Sequence, residues 1–294
     1  MGLFATAVLS ASAALAAPPA VPVPGHPGFP APPRGAIVFS RQLGSDALAL
    51  GVVPQAGRVL LQASVLGGQG TGVRGLGVTF TVGRASTESA PCGSGCYRAT
   101  VETRTRPAAV TVAVRKGKTT THWRVTIPRA HSARDAAALL ARAGHVWRSL
   151  RSVSFTEALA SSPRPPLLSN WQLQAPDRVA YQVHGGWSAV IIGGRRWDRS
   201  PGDTKWIESQ QTRLTQPVPS WGAVTDAYLL GRTTARGRPA WKLSFFDPKT
   251  PAWFTVTLDA TTLHTLDVWM IATAHFMHDS YSAFDRTAPI VAPT

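Results

Sequence analysis

Charged side chains are scarce in this sequence, making up 15 % of its 294 residues, and only 15 residues are acidic. The formal net charge is nevertheless +15. Most of it comes from arginine, because lysine occurs only at Lys116, Lys118, Lys205, Lys242 and Lys249. No run of five basic residues is present, so we do not expect nucleic acid as a partner. The arginines either lie scattered on solvated faces or favour an anionic membrane surface.

Motifs of catalytic sites are absent. The sequence contains no nucleophile elbow, no H-E-x-x-H and no phosphate-binding loop. Asp177, Asp198, Asp247 and Asp259 lie beside turn residues, where aspartate caps the turn. The glycines of 70–75 match G-x-G-x-x-G, but a strand pattern follows where a dinucleotide site needs a helix. We therefore predict that the protein is not an enzyme.

Cysteine is limited to Cys92 and Cys96. A pair this close together in an exported chain is expected to form a disulfide that fixes a loop. A metal pair or a redox dithiol is the alternative, although no third ligand lies nearby in the sequence.

No hydrophobic run is long enough to cross a bilayer comfortably. The uncharged stretch 3–17 would span about 22 Å as a helix, short of a hydrocarbon core of about 30 Å. Residues 1–17 are therefore predicted to be a signal peptide or the end of a membrane helix, followed by a proline-rich linker over 18–35. Both interpretations place the remainder outside the cytoplasm.

The rest of the chain is mostly strand-like. Residues 36–129 contain seven short alternating runs without a helix signal, which is typical of an immunoglobulin-like β-sandwich. The predicted strands are 36–41, 47–53, 58–66, 77–82, 97–102, 109–115 and 121–126.

A single helix is predicted over 132–150, because apolar residues recur there at a period of 3.6. It is followed by a series of strands at 153–160, 167–174, 178–184, 187–192, 195–198, 225–234, 239–246, 252–258 and 265–273. This order predicts a strongly curved antiparallel sheet wrapped around the helix, in a domain of residues 130–285 with a tail at 286–294.

Two resemblances follow from these segments. The order of segments from the helix onward resembles the outer-membrane lipoprotein carrier superfamily. The segments that carry this resemblance are the helix, 155–157, 174–179, 192–197 and 255–259. That resemblance implies an unclosed β-barrel over helices that binds lipid or lipoprotein. The cysteine loop 91–97 followed by this domain and the ending 274–278 is similar to the extracytoplasmic C-terminal region of actinobacterial copper resistance D-type membrane proteins. That resemblance implies copper handling beside a multi-helix membrane protein.

Two sets of candidate site residues emerge. Ten tryptophans either pack the core or line a cavity for a hydrophobic ligand, and we select Trp147, Trp187 and Trp253 for the cavity. Thioether and imidazole groups suit copper, especially Cu(I). The candidate ligands are His264, Met270, His275, Met277 and His278.

The predicted function is a non-enzymatic, membrane-associated extracytoplasmic protein of a copper-resistance system. The alternative is a binder or carrier of lipid or lipoprotein.

Overall fold

The structure is a computed structural model that describes residues 32–68, 71–128, 132–160, 166–272 and 275–294. The predicted signal peptide at 1–17 and most of the proline-rich linker lie outside the described residues. In the part of the chain that the structure describes, no helix is both long enough and apolar enough to cross a bilayer.

The first domain is a sandwich of two antiparallel sheets. Its strands are β1 (Ile37–Leu43), β2 (Asp46–Gln55), β3 (Arg58–Leu66), β4 (Gly77–Val82), β5 (Ala85–Glu88), β6 (Ala90–Gly93), β7 (Cys96–Glu102), β8 (Ala109–Lys116) and β9 (Thr119–Thr126). One sheet has the order β1-β2-β3-β7-β6 and the other has the order β5-β4-β8-β9. Apart from the edge strands β1 and β5, this is the seven-strand order of an immunoglobulin fold.

The sandwich core follows from alternation along the strands. In β4, for example, Val78, Phe80 and Val82 are buried, whereas Thr79 and Thr81 face outward. Because side chains alternate between the faces of a strand, the apolar residues of the two sheets meet in one cluster. The predicted sandwich is thus confirmed.

Among its described residues, the second domain contains one helix, α1 (Ser132–Ser149). The stripe of Ala136, Leu140, Ala143 and Trp147 is buried against the sheet of the second domain, as the helical period predicted. The indole N–H of Trp147 donates a hydrogen bond to the hydroxyl of Thr265 at 2.9 Å.

The sheet of the second domain has eleven described strands and does not close. They are β10 (Ser152–Ala160), β11 (Leu167–Gln174), β12 (Arg178–Val183), β13 (Ser188–Ile192), β14 (Arg195–Arg199), β15 (Ile207–Gln210), β16 (Thr225–Ala235), β17 (Arg238–Asp247), β18 (Ala252–Asp259), β19 (Thr265–Ala272) and β20 (His275–Ser282). Their order is β15-β14-β13-β12-β11-β10-β20-β19-β18-β17-β16, so β15 and β16 are free edges. We call this curved sheet the half-barrel. Its fold class, mostly β with an unclosed sheet around one helix, is the one predicted.

The two edge strands are consecutive in sequence, so residues 211–224 must pass from one edge of the half-barrel to the other. We call this segment the strap. The amide of Gln216 donates to the carbonyl of Pro176 at 2.9 Å, at the rim where β11 turns into β12. The amide of Gly222 donates to the carboxylate of Asp247 at 2.7 Å, where β17 ends at the opposite rim. We call the rim at the turn between β11 and β12 the lower rim, and the rim at the end of β17 the upper rim. The strap therefore crosses the concave face from the lower rim to the upper rim.

The convex face of the half-barrel packs on the sandwich. A third apolar cluster joins Val38, Ala49 and Leu66 of the first domain to Trp253 and Phe276 of the second. The two domains thus share one continuous interface. The tail 286–294 also packs against the half-barrel, since the carbonyl of Ile290 accepts a hydrogen bond from Arg178.

Candidate functional site

An aromatic ladder crosses the concave face of the half-barrel on four adjacent strands. Tyr281, Phe155, Trp171 and Tyr181 are successive cross-strand partners. Their ring centroids lie 4.9 Å, 5.7 Å and 4.4 Å apart along this row. All four side chains are buried, so the ladder forms a continuous aromatic floor inside the half-barrel.

A pair of carboxyl groups lies in the next row toward the upper rim. Glu157 of β10 is directly opposite Asp279 of β20, and their side chains are 4 % and 1 % exposed. The row continues through Val268 and Val256 on one side. Two carboxyl groups therefore face each other among buried residues of the interior, an arrangement that costs free energy if both are ionised.

Three hydrogen bonds hold this pair in place. The hydroxyl of Ser169 donates to Glu157 Oε1 at 3.2 Å, and Ser169 in turn accepts the indole N–H of Trp171. The Tyr281 hydroxyl donates to Asp279 Oδ2 at 2.9 Å. The second oxygens, Glu157 Oε2 and Asp279 Oδ1, are buried and have no hydrogen-bond partner among the described residues.

Burial makes these groups weak acids. It raises the pKa of Glu157 from 4.5 to about 7, against the lowering effect of the hydrogen bond from Ser169. Burial and the facing Glu157 raise the pKa of Asp279 well above its usual value. Burial also raises the pKa of Tyr281, which therefore stays a hydroxyl donor at neutral pH. The pair can share a proton and accept hydrogen bonds from a donor group.

A third row leads from the interior to solvent at the upper rim. Met277, Leu159 and Leu167 are successive cross-strand partners on the concave face. Met277 is 2 % exposed, whereas Leu167 is 46 % exposed. Trp187, in the neighbouring turn between β12 and β13, is also exposed. The apolar lining of the half-barrel is thus continuous with an exposed apolar rim.

The helix and the strap cover the rest of the concave face. Trp147 of α1 meets Tyr281 edge to face at 5.4 Å. Trp221 of the strap packs on Phe245 and Phe254 of β17 and β18, at 5.5 Å and 6.3 Å. Side chains of these two segments therefore fill the interior in this conformation.

The three tryptophans selected for a cavity do not lie together, which corrects that prediction. Trp147 is inside the half-barrel, Trp187 is at the upper rim, and Trp253 lies on the convex face against the sandwich. Trp253 faces away because the strand places Phe254, not its neighbour, on the concave side. The aromatic ladder contains none of the three.

The predicted copper ligands are also divided. β20 is a strand, so Met277 points into the core beside Met270, while His278 is on the opposite face. There the His278 ring stacks on Trp269 at 4.1 Å. His264 lies in the turn after β18 and stacks on Phe284.

These positions separate His278 from the two methionines. The side chain of His275 lies outside the described residues. Within the described chain, no group of three histidine, cysteine, aspartate or glutamate side chains could hold a metal ion. Strand alternation places His278 on the face opposite to Met270 and Met277, so these three side chains do not share a site, and copper binding stays a prediction.

Cys92 and Cys96 form a disulfide, as expected. It joins the short strand β6 to the first residue of β7. The metal-pair and dithiol alternatives are therefore not adopted in this structure.

Sequence reasoning missed the carboxyl pair. The signal for Glu157 was present, because the predicted strand alternates Val153, Phe155, Glu157 and Leu159 on one face. A glutamate at an inward position among apolar residues is a candidate functional residue. Asp279 had no such signal, since β20 itself was not predicted.

Comparisons with known proteins show partial similarity of structure. No family model matches the sequence, and no curated protein sequence matches it. Lipoprotein LppX of Mycobacterium tuberculosis is 13 % identical with a TM-score of 0.40, and the match covers 53 % of this chain and 99 % of that one. LprF of Mycobacterium bovis is 10 % identical with a TM-score of 0.40, covering 55 % and 98 %.

A third similar structure is a domain of a putative outer membrane lipoprotein-sorting protein from Vibrio parahaemolyticus. It is 9 % identical with a TM-score of 0.28, and the match covers 53 % of this chain and 95 % of that one. The similarity thus extends over about half of the present chain. The expected resemblance to copper resistance D-type proteins has no support from these comparisons.

Proposed function

We propose that this chain is a non-enzymatic, extracytoplasmic binding protein that holds the acyl chain of a lipid or lipoprotein in the half-barrel. The observation that carries the proposal is the row of Met277, Leu159 and Leu167, which runs from the buried interior to the exposed upper rim. An apolar lining that reaches solvent at one rim offers an acyl chain a continuous path. Each buried methylene group contributes about 0.8 kcal/mol.

Access requires the strap to move. Its residues 211–224 are not part of any strand. Arg213 pairs with Asp177 at 2.6 Å, but the arginine side chain is 75 % exposed, and such pairs contribute only about 0–1 kcal/mol. The strap also places Leu214 and Trp221 in the core cluster, so an entering acyl chain must replace these contacts as the strap moves aside. The strap therefore serves as the movable cover, and the helix stays in place.

The acid pair fits an apolar ligand because it is weakly ionised. With the pKa of Glu157 at about 7 and that of Asp279 raised, the pair carries little charge at mildly acidic pH. An acyl chain on the aromatic ladder would meet protonated carboxyl groups, which are much less costly to desolvate than carboxylates.

An oxidising compartment is supported by the disulfide between Cys92 and Cys96, since such bonds persist outside the cytoplasm. Copper is not part of the proposal, because His278 lies on the face of the sheet opposite to Met270 and Met277.

Two exposed leucines of β11 provide the test. Leu167 is on the concave side and Leu168 is on the convex side, with similar exposures of 46 % and 49 %. Leu167→Asp should weaken saturable binding of a fluorescent fatty acid, because it places a charge on the ligand path. Leu168→Asp adds the same charge to the other face and should leave the affinity unchanged.

Titration of both variants and the wild type, with folding checked by circular dichroism, decides the matter. Absence of saturable binding to the folded wild type would refute the proposal. Equal loss in both variants would mean that the ligand binds elsewhere on the rim.

A further inference from the structure

A cleft of about 980 Å³ lies at one end of the sandwich domain, outside the half-barrel. Its walls are the turn between β4 and β5, the loop 103–108 between β7 and β8, and the outer face of the sandwich sheet β5-β4-β8-β9. The amide of Ile127 donates to the carbonyl of Ala108 at 2.9 Å, so the cleft lies where β9 ends and the chain leaves for α1.

The lining of this cleft is strongly one-sided in charge. It contains Arg84, Arg104, Arg106 and Arg124 but a single acidic residue, Glu102. Four of its fifteen lining residues are thus arginine. The mean over the whole chain is far lower, since all 30 basic residues together are spread over 294 positions. Random scatter of arginine does not account for this local density.

Hydroxyl groups accompany the guanidinium groups. Thr81, Thr103, Thr105 and Thr111 also line the cleft. Thr81, Thr111 and Arg124 are successive cross-strand partners on β4, β8 and β9, so they stand side by side on the outer face of the sheet. Hydroxyl donors beside planar arginine forks are suited to the oxygens of a tetrahedral anion.

Among the described residues, the cleft arginines form no ion pair, in contrast to several arginines of the half-barrel. Arg195, Arg196 and Arg213 each form an ion pair at 2.6–2.7 Å. Within the described chain, no ion pair involves Arg84, Arg104, Arg106 or Arg124. Arg106 donates to the carbonyl of Pro128 at 3.0 Å, which fixes its position without neutralising its charge.

We propose that this cleft binds a phosphate-type oxyanion, carried either by free phosphate or by a lipid headgroup. Four arginines line one cleft with a single carboxylate among them, so their mutual repulsion is only partly offset, and a bound anion relieves it. The site is independent of the half-barrel and of its hydrophobic ligand.

The test compares two double variants that remove the same charge. Arg104→Gln/Arg124→Gln alters the cleft. Arg142→Gln/Arg148→Gln removes two exposed charges from α1. Calorimetric titration with inorganic phosphate, at ionic strength held constant with chloride, measures the affinity of each folded protein. We expect saturable binding that weakens about tenfold or more in the cleft variant and is unchanged in the helix variant.

Co-sedimentation with phosphatidylglycerol–phosphatidylcholine vesicles distinguishes the two sources of the anion. Weaker sedimentation of the cleft variant than of the helix variant assigns the site to a lipid headgroup, whereas equal sedimentation assigns it to free phosphate. Equal loss of phosphate affinity in both variants, or no saturable phosphate binding by the wild type, would overturn the proposal, because the net charge alone would then explain any attraction.

Discussion

Glu157 and Asp279 are the residues whose environment departs most from what their chemistry prefers. Both are nearly fully buried, and each has one carboxyl oxygen without a partner among the described residues. A carboxyl pair of this kind keeps a proton that it would lose in water. The arrangement couples the protonation of Glu157 and Asp279 to folding.

The pH dependence of stability follows from the raised pKa of Glu157. The folded chain holds a proton between about pH 4.5 and pH 7 that the unfolded chain has released. The stabilisation that this proton provides is therefore fully present below the pKa of Glu157 in the unfolded chain. It is lost as the pH rises through the higher pKa of Glu157 in the folded chain. For this residue the loss is about 3 kcal/mol, at 1.4 kcal/mol for each unit of pKa.

Glu157→Gln should remove most of this loss, because a neutral amide replaces the titrating group. We expect the variant to be less stable than the wild type at pH 4.5 and more stable at pH 8, as measured by urea unfolding across that range. Glu88→Gln, an exposed position, is the control and should keep the wild-type profile. Parallel profiles for Glu157→Gln and the wild type would contradict the assignment of a buried, proton-binding Glu157.

At the level of elements, α1 is the single helix around which the half-barrel is organised in the described chain. Leu140 is 4 % exposed and packs into the main cluster, whereas Arg142 is exposed on the opposite side of the helix. Leu140→Ala should cost about 2–5 kcal/mol, and Arg142→Ala should cost little. Chemical denaturation measures both, and equal small effects would show that the helix is dispensable to the core.

The helix and the longer strands were predictable because their patterns are local. Alternation over 77–82 and a 3.6-residue stripe over 132–150 require no knowledge of partners. The sequence did not reveal β5, β6 and β15, which are four residues each and mostly exposed. Short edge strands of this kind are stabilised by the neighbour they pair with, so their own residues carry little signal.

β20 was missed for a different reason. It lies in the middle of the sheet, between β10 and β19, yet its inward face carries Asp279 between Met277 and Tyr281. A carboxyl group at a buried position breaks the alternation that identifies a strand. One of its two partners, β10, is more than a hundred residues earlier in the chain, so no local feature predicts that pairing. The metal-site prediction depends on the same strand, since its alternation places His278 on the face opposite to Met270 and Met277.

For the whole molecule, the decisive feature is that the convex face of the half-barrel is not free. Trp253 is 1 % exposed, and its indole N–H donates to the carbonyl of Pro32 at 2.9 Å. A buried hydrogen bond between Thr255 and Ser40 lies in the same interface, at 3.1 Å. The sandwich therefore covers the outside of the sheet, so the ligand that we propose would have to enter from the concave side.

This interface should make the two domains unfold together. Trp253→Ala removes a large buried side chain and should cost about 3–5 kcal/mol. Because the lost contacts join the domains, the single transition of the wild type should split into two in calorimetry. Trp206→Ala is the control, since that ring stacks only with Arg199 on the half-barrel, at 4.6 Å from the guanidinium carbon. A single transition in Trp253→Ala, lowered but not split, would show that Ala36, Val38, Leu66 and Phe276 are sufficient to couple the domains without the tryptophan.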